Sequence, residues 1–323
     1  MKSWPARTTS TVPGAHAHQQ SRRRRLPPRW WVGYLFMAPA LLLFLVLGAY
    51  CVTFSFALSF FQWDGFSTTW RWVGLDNFAY FLYGDPATAQ LFRDSLLHNI
   101  EIAAIVPISS CLVGLALALL LNRSGRISRL FRTLYYLPAI TAGVATLYTW
   151  QLIYQPGGVL SALLTALHAP NLVPYDGWLG TPSLALPAVM VVMIWSSAPG
   201  AMLMYLAGLQ TLDKEVLDAA AMDGAGAWPR LRHIIWPLLF PITVILMILG
   251  MDVAIQDYGT VYLMTNGGPA GATSLVGLLV FQHATQMGGT DTGLGLGSAM
   301  GWTLFLFTFV LAMLNLRLFR AKT

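Results

Sequence analysis

Long apolar runs constrain this chain more than any other feature. Each approaches the roughly 20 residues that an α-helix needs to cross the hydrocarbon core of a bilayer. Six recur, at about 32–60, 100–121, 134–155, 184–208, 238–263 and 295–317. A soluble chain of 323 residues could bury a large core, but it would need a charged exterior. Only 10% of the residues are charged against 56% hydrophobic, where about a quarter charged is usual for soluble domains. Inside lipid, backbone polar groups must be satisfied internally, and runs of this length predict helices. The expected fold is an all-α integral membrane protein with six transmembrane helices. Proline and polar breaks in the third to fifth runs blur their ends.

Charge sets the orientation. With both termini inside, the cytoplasmic segments hold Lys2, Arg7, Arg22 to Arg25, Arg29, Arg123, Arg126, Arg129 and Arg132. Lys214, Arg230, Arg232, Arg317, Arg320 and Lys322 complete that side, leaving Arg71 and Arg93 outside. That asymmetry is the positive-inside pattern, so the net charge of +6 reports topology rather than nucleic-acid binding. The Arg22–Arg25 run, just before the first span, suits an anchor to anionic membrane lipid. Residues 1–31 are expected to form a disordered basic tail, residues 32–318 the transmembrane domain, and residues 319–323 a short cytoplasmic tail. The first apolar run is too long for the h-region of a cleavable signal.

One interior segment, residues 211–237, is polar. Asp213, Glu215, Asp218 and Asp223, four of the thirteen acids, sit in or beside it. From Lys214 to Met222 there is no Gly or Pro, and Ala, Leu and Glu favour helix. Asp223-Gly224 reads as the stop, because Gly adopts the left-handed conformation that closes a helix. Ala227, Trp228 and Pro229 open a second short helix, with Pro tolerated in its first turn. Two short helices at a sharp turn on the membrane surface suit docking to a partner.

The sequence from Leu212 through Asp218-Ala219-Ala220-Ala221-Met222-Asp223-Gly224-Ala225, continued by Trp228, Ile234, Pro237 and Pro241, resembles the EAA loop of ABC importer permeases. Phe61-Gln62-Trp63-Asp64, Val73-Gly74-Leu75-Asp76-Asn77-Phe78, Leu206-Ala207-Gly208-Leu209-Gln210 and Thr265-Asn266-Gly267-Gly268-Pro269 are similar to maltose- and glycerol-3-phosphate-type permeases. The resemblance runs from about Tyr34 to Leu318. Asp218 departs from it by standing where the family has Glu. The resemblance implies a carbohydrate importer of a bacterial or archaeal plasma (inner) membrane. Its partners would be a second permease, two ATPase subunits that bind ATP and Mg, and an extracytoplasmic solute-binding protein or lipoprotein. It also implies that Glu215, Asp218, Ala219, Ala220, Asp223, Gly224, Ala225, Trp228 and Pro237 couple to an ATPase. Gly267, Gly268 and Pro269 would face the binding protein; the alternative is a plain turn. Glycerol-3-phosphate, a glycerophosphodiester or a sugar alcohol is the alternative solute.

Charged groups at mid-membrane cost about 3 kcal/mol on insertion scales, so they face a cavity or a partner. Asp252 lies about halfway through the fifth run, and Gln256, four residues later, shares its helix face. With Tyr258 near the outer end, carboxylate, amide and ring suit a polyhydroxylated solute. Pairing of Asp252 with a neighbouring helix is the alternative. Trp195, Ser196 and Ser197 precede Pro199-Gly200, where Pro frees a carbonyl and favours a kink; their hydroxyls could equally bond their own helix. Glu101, at the start of the second run, reads as snorkelling or paired.

Other chemistries find little support. No Gly-x-x-x-x-Gly-Lys-Ser/Thr loop is present, so ATP hydrolysis is expected on another polypeptide. Gly293-x-Gly295-x-Gly297 lacks a strand–helix frame, and Gly297 with Gly301 reads as close helix packing. Cys51 and Cys111 fall inside spans and the six His are scattered, so no metal or cofactor is expected in this chain. An ATPase-independent secondary transporter and a membrane-embedded enzyme rank behind: no inverted repeat and no catalytic cluster stand out.

Overall fold

The computed structural model describes residues 30–65, 67–122, 125–140, 143–285 and 293–320. The N-terminal tail up to residue 29 with its four-arginine run, Arg123, and Lys322 lie outside the described residues. The chain divides into two compact units, Met1–Val52 and Thr53–Thr323. The first holds α1 (Trp30–Leu43), a π-helical stretch Phe44–Ala49 and the opening of α2 (Tyr50–Leu58).

The second unit begins within α2 and continues into a ribbon that the all-helical expectation did not contain. β1 (Phe61–Gln62) and β2 (Arg71–Trp72) pair antiparallel, with Phe61 opposite Trp72. Aromatic residues favour strands where they can pack across them. Here Trp72 meets Phe61 edge-on at 5.0 Å and Trp70 stacks on Trp63 at 4.6 Å. Next come α3 (Asp76–Ala79), a π-helical stretch Tyr80–Gly84 and α4 (Pro86–Leu121). Asp85 caps α4, accepting from the Thr88 hydroxyl at 2.7 Å and the Thr88 N–H at 2.9 Å. Those bonds hold its carboxyl below the usual carboxylate range. With 36 residues, α4 is about 54 Å long, well beyond the roughly 30 Å hydrocarbon core.

Then follow α5 (Arg126–Ile140), α6 (Gly143–Tyr154), α7 (Val159–Ala166), α8 (Pro182–Gln210), α9 (Lys214–Met222), α10 (Ala227–Arg230), α11 (Trp236–Gln256), α12 (Tyr258–Met264), α13 (Val276–Thr285) and α14 (Gly293–Arg320). Among the described residues five helical stretches are long and apolar enough to cross a membrane. They are Trp31–Leu58, Pro86–Leu121, Pro182–Gln210, Ala227–Gln256 and Gly293–Met313. The third apolar run of the sequence is instead divided between α5 and α6, neither of which reaches spanning length alone.

α4 is the central strut of the second unit, packed along α8 and α11. Its approach to α8 depends on Gly114, where a Cβ would stand 2.7 Å from Ala201 Cβ and 2.9 Å from the Met202 nitrogen. Toward the α9 end, Leu115, Ala118, Met202, Tyr205 and Leu239 form one buried cluster. Toward the ribbon, Phe81, Phe92, Val276, Leu296 and Met300 form another. There α14 lies against α13, with a Cβ on Gly297 falling 3.3 Å from His283 Cβ. That is the close packing expected of the Gly297/Gly301 pair.

Candidate coupling surface and translocation cavity

The helix expected over Lys214–Met222 is α9, with those bounds. Asp213 caps it by accepting from the Glu215 N–H at 2.9 Å, which satisfies one of the donors a helix start leaves open. At its far end Ala225 N–H returns to Ala220 O at 3.0 Å and Asp223 N–H to Ala219 O at 3.0 Å. Gly224, at φ +77°, makes that return possible. Among the described side chains of α9 none is buried: Glu215, Asp218 and Ala219 are exposed and Ala220 is half-buried, as is Ala225 beyond the turn. Beyond the turn Trp228 is 67% exposed, as is Met222 at 86%. The two short helices thus carry two exposed acids and two largely exposed apolar side chains.

The second short helix is not a separate element. α10 passes through a π-helical stretch, Leu231–Ile235, into α11, and Ala227–Gln256 forms one helical stretch of 30 residues. Pro237 therefore lies in the first turn of α11, exposed, rather than in a loop. A Pro there removes one backbone donor from the helix, so the sequence signal for a boundary is real while the chain continues helically across it.

Between α4, α8 and α11 lies a cavity of about 410 Å³. Pro107, Ser110, Met193, Ser196, Ser197, Gly200, Gly250 and Asp257 contribute to a lining that is mostly apolar. Ser197 donates to Met193 O at 2.8 Å, which leaves the Ser110 hydroxyl, 2.6 Å away, to donate to Ser197. Ser196 also donates to Met193 O, at 2.9 Å. The hydroxyls thus spend their protons on protein, while α8 stays helical through Pro199.

The remaining pathway candidates are dispersed. Asp252 and Gln256 are joined at 2.7 Å on an exposed face of α11 beside the cavity but outside its lining. Trp195 packs edge-on against Trp150 of α6 at 5.4 Å, and Tyr258 stacks on Phe281 of α13 at 5.3 Å. Asp257, which sequence reasoning passed over, lines the cavity and caps α12, accepting from the Thr260 N–H and hydroxyl. Its signal was the one that marked Asp252, an acid inside an apolar run.

Gly267, Gly268 and Pro269 form a tight turn. Gly267 is buried at φ +85°, where a Cβ would stand 3.2 Å from Leu278 Cδ2, and Thr273 donates to Gly268 O at 2.8 Å. Gly267 therefore faces inward, and Ala270 is the exposed residue of the turn.

A family profile described as binding-protein-dependent transport system inner membrane component matches residues 110–322. The probable ABC transporter permease protein YesP of Bacillus subtilis (strain 168) is 30% identical over 315 residues, 96% of each chain. The trehalose/maltose transport system permease protein MalF of Thermococcus litoralis is 28% identical, covering 90% of this chain and 94% of that one. The sulfoquinovosyl glycerol transport system permease protein SmoG of Agrobacterium fabrum is 29% identical, covering 91% and 95%. A crystal structure of a bacterial ABC transporter involved in the import of the acidic polysaccharide alginate shares the fold. Its TM-score is 0.74 at 18% identity, covering 91% of this chain and 97% of that one.

Proposed function

The chain belongs to the family of binding-protein-dependent transport system inner membrane components, and we propose that it is a permease subunit through which an ATP-driven importer admits a mono-, di- or oligosaccharide. Relatives that carry trehalose or maltose and sulfoquinovosyl glycerol support a carbohydrate. Among the described residues the cavity lining holds no Lys or Arg, which favours a neutral solute over glycerol-3-phosphate or a glycerophosphodiester. In this reading α5 and α6 together make the third of six spans, and both termini are cytoplasmic. A second permease completes the pathway, two ATPase subunits bind ATP and Mg, and a solute-binding protein delivers the sugar.

The observation that carries the reading is the exposed α9, capped at Asp213 and turned at Gly224, feeding a helix that runs unbroken to the cavity. An ATPase closing on α9 and Trp228 would displace α10. Because α10 continues into α11, the displacement travels along about 45 Å of helix, at 1.5 Å per residue. It ends at Gly250 and Val253, where α11 walls the cavity, just before Asp257. Coupling of this kind needs contacts that differ between two states, and a packed helix supplies them by shifting as one body. No step of catalysis is assigned to this chain.

The test is uptake of labelled disaccharides and oligosaccharides into vesicles holding the complete complex, with ATP and with a non-hydrolysable analogue. Uptake with ATP alone is expected. Uptake that follows an ion gradient and ignores ATP would place the chain among secondary transporters.

A further inference from the structure

The ribbon of β1 and β2 sorts its side chains onto two faces. Successive strand side chains alternate, and Gln62 lies opposite Arg71 in the register. Phe61, Trp63, Trp70 and Trp72 form an aromatic cluster with rings 4.6 to 6.0 Å apart. Gln62, Asp64, Thr69 and Arg71, at the alternate positions, line a hollow of about 300 Å³ together with Ser67 and Trp70. The ribbon is tied down on both sides. Asn77, buried in α3, donates to Ser59 O and Phe61 O, both at 2.9 Å. Trp63 O accepts from the N–H groups of Leu294 and Gly295 at 3.1 and 3.2 Å, which seats the ribbon on the start of α14. Trp63 Nε1 donates to Ser67 O at 2.8 Å, and Asp64 accepts from the Ser67 N–H at 2.8 Å. The side chains of Gln62 and Arg71 make no hydrogen bond or ion pair with any described residue.

We propose that this hollow is a carbohydrate site separate from the cavity between α4, α8 and α11, and that Gln62 and Arg71 hold the hydroxyls of a neutral sugar beside the Trp70 ring. The mixed charge decides the ligand. Asp64 repels an anion and Arg71 repels a cation, whereas a sugar hydroxyl both donates and accepts. Arg71 presents a planar fork of donors to neighbouring hydroxyl oxygens, and the Gln62 amide supplies both a donor and an acceptor. The Trp70 indole adds an apolar surface for the C–H face of the ring. The volume lies at the lower end of small-molecule sites, which run from roughly 300 to 1,000 Å³, and suits a short saccharide. Because the ribbon is fixed to α3 and α14, these groups are held in place before the ligand arrives, which lowers the cost of binding. The ribbon follows directly on α2, so with cytoplasmic termini it stands at the extracytoplasmic surface. The inference rests on the proposed function for that placement and for the solute class.

The test uses the full-length chain with the subunits that co-purify with it, in nanodiscs and without a solute-binding protein. Diazirine-bearing maltose and trehalose are photolysed on it with and without the plain sugars as competitors, and the adducts are located by peptide mapping. Adducts within residues 62–71 that the plain sugar competes away are expected. Gln62→Ala and Arg71→Ala should each weaken that labelling about tenfold. The unfolding midpoint should stay in place, since neither side chain bonds to a described residue. Arg71→Lys, which keeps the charge and loses the fork, should recover part of the labelling. No competable adduct in this segment with either sugar, or labelling untouched by both alanine variants, overturns the proposal. So does a fall in midpoint that accounts for the lost labelling, which would make the two side chains structural. ATP-driven uptake of the same sugars is read separately on the complete complex. Uptake without labelling of the ribbon refutes the ribbon site and leaves the transport reading standing, and labelling without uptake does the reverse.

Discussion

The Asn99 side-chain amide donates to the main-chain carbonyl of Ile255, 156 positions away in sequence, at 3.1 Å. Its carbonyl oxygen meanwhile accepts from Val276 N–H at 3.0 Å. One fully buried side chain thus ties α4 to the last turn of α11 and to the start of α13. Asn99→Ala strands a buried carbonyl and a buried N–H, at a cost on the order of 2–4 kcal/mol. Thermal unfolding of the purified complex should show a clear drop in midpoint. Asn99→Asp, which keeps the acceptor for Val276 but sets a second acceptor against the Ile255 carbonyl and buries a carboxyl group, should fall at least as far. A midpoint unchanged by Asn99→Ala would mean that water replaces both bonds.

Gly114 and Gly200 make a second comparison, one at a helix contact and one in open space. Gly114→Ala sets a methyl against Ala201 and the Met202 backbone, where nothing flexible can yield. Overpacking of this kind costs about 1–3 kcal/mol. Gly200→Ala meets nothing within 4 Å, so removing a mid-helix glycine should stabilise by about 0.5–1 kcal/mol. Opposite shifts in the unfolding midpoint are expected. Because Gly200 lines the cavity, uptake by Gly200→Ala also tests whether that space carries solute.

What the sequence made legible follows from which interactions are local. The α9 bounds could be read because the helix formers and the Gly224 stop act locally. Five of the six membrane runs could be read because length and hydropathy suffice; the third breaks into two short helices. The ties that position the bundle could not. Asn99 and Gln151 donate to main-chain carbonyls more than 100 positions away, and a backbone partner leaves no mark on composition. α13 escaped notice because 10 residues fall short of a span. The junction of α10 with α11 escaped because Pro237 signals a helix start whether or not a helix precedes it. Asp257 shows the opposite limit: its cue was visible, but two acids in one run cannot be ranked without knowing which face turns inward.

At Gly224 the left-handed backbone, and not space, is the constraint, since a Cβ there would meet nothing within 4 Å. Gly224→Val should strain the turn by about 1–3 kcal/mol and swing α10 away from its angle to α9. Gly224→Asn, which tolerates this conformation, should lose less. Insertion and yield are expected to stay near normal while ATP-driven uptake falls, most for Val. Normal uptake by the Val variant would show that the turn angle does not carry the coupling.

Asp252 presents the sharper alternative. Its carboxylate accepts from Gln256 at 2.7 Å on an exposed face of α11, with Leu249 and Val253 exposed alongside. Charged groups inside a membrane face a cavity or a partner, so in the proposed importer the face would meet either the solute pathway or a second permease. Asp252→Asn keeps the size and an acceptor for Gln256 but removes the charge. If the face lines the pathway, the variant assembles normally and shows altered uptake or changed preference among related sugars. If the face seats the partner permease, selectivity holds while complex yield and unfolding midpoint fall. Both quantities are read from one preparation, with Gln256→Leu as the companion that breaks the pair and leaves the carboxylate. Unchanged selectivity with reduced assembly in Asp252→Asn would remove Asp252 from the pathway and place it in the subunit interface.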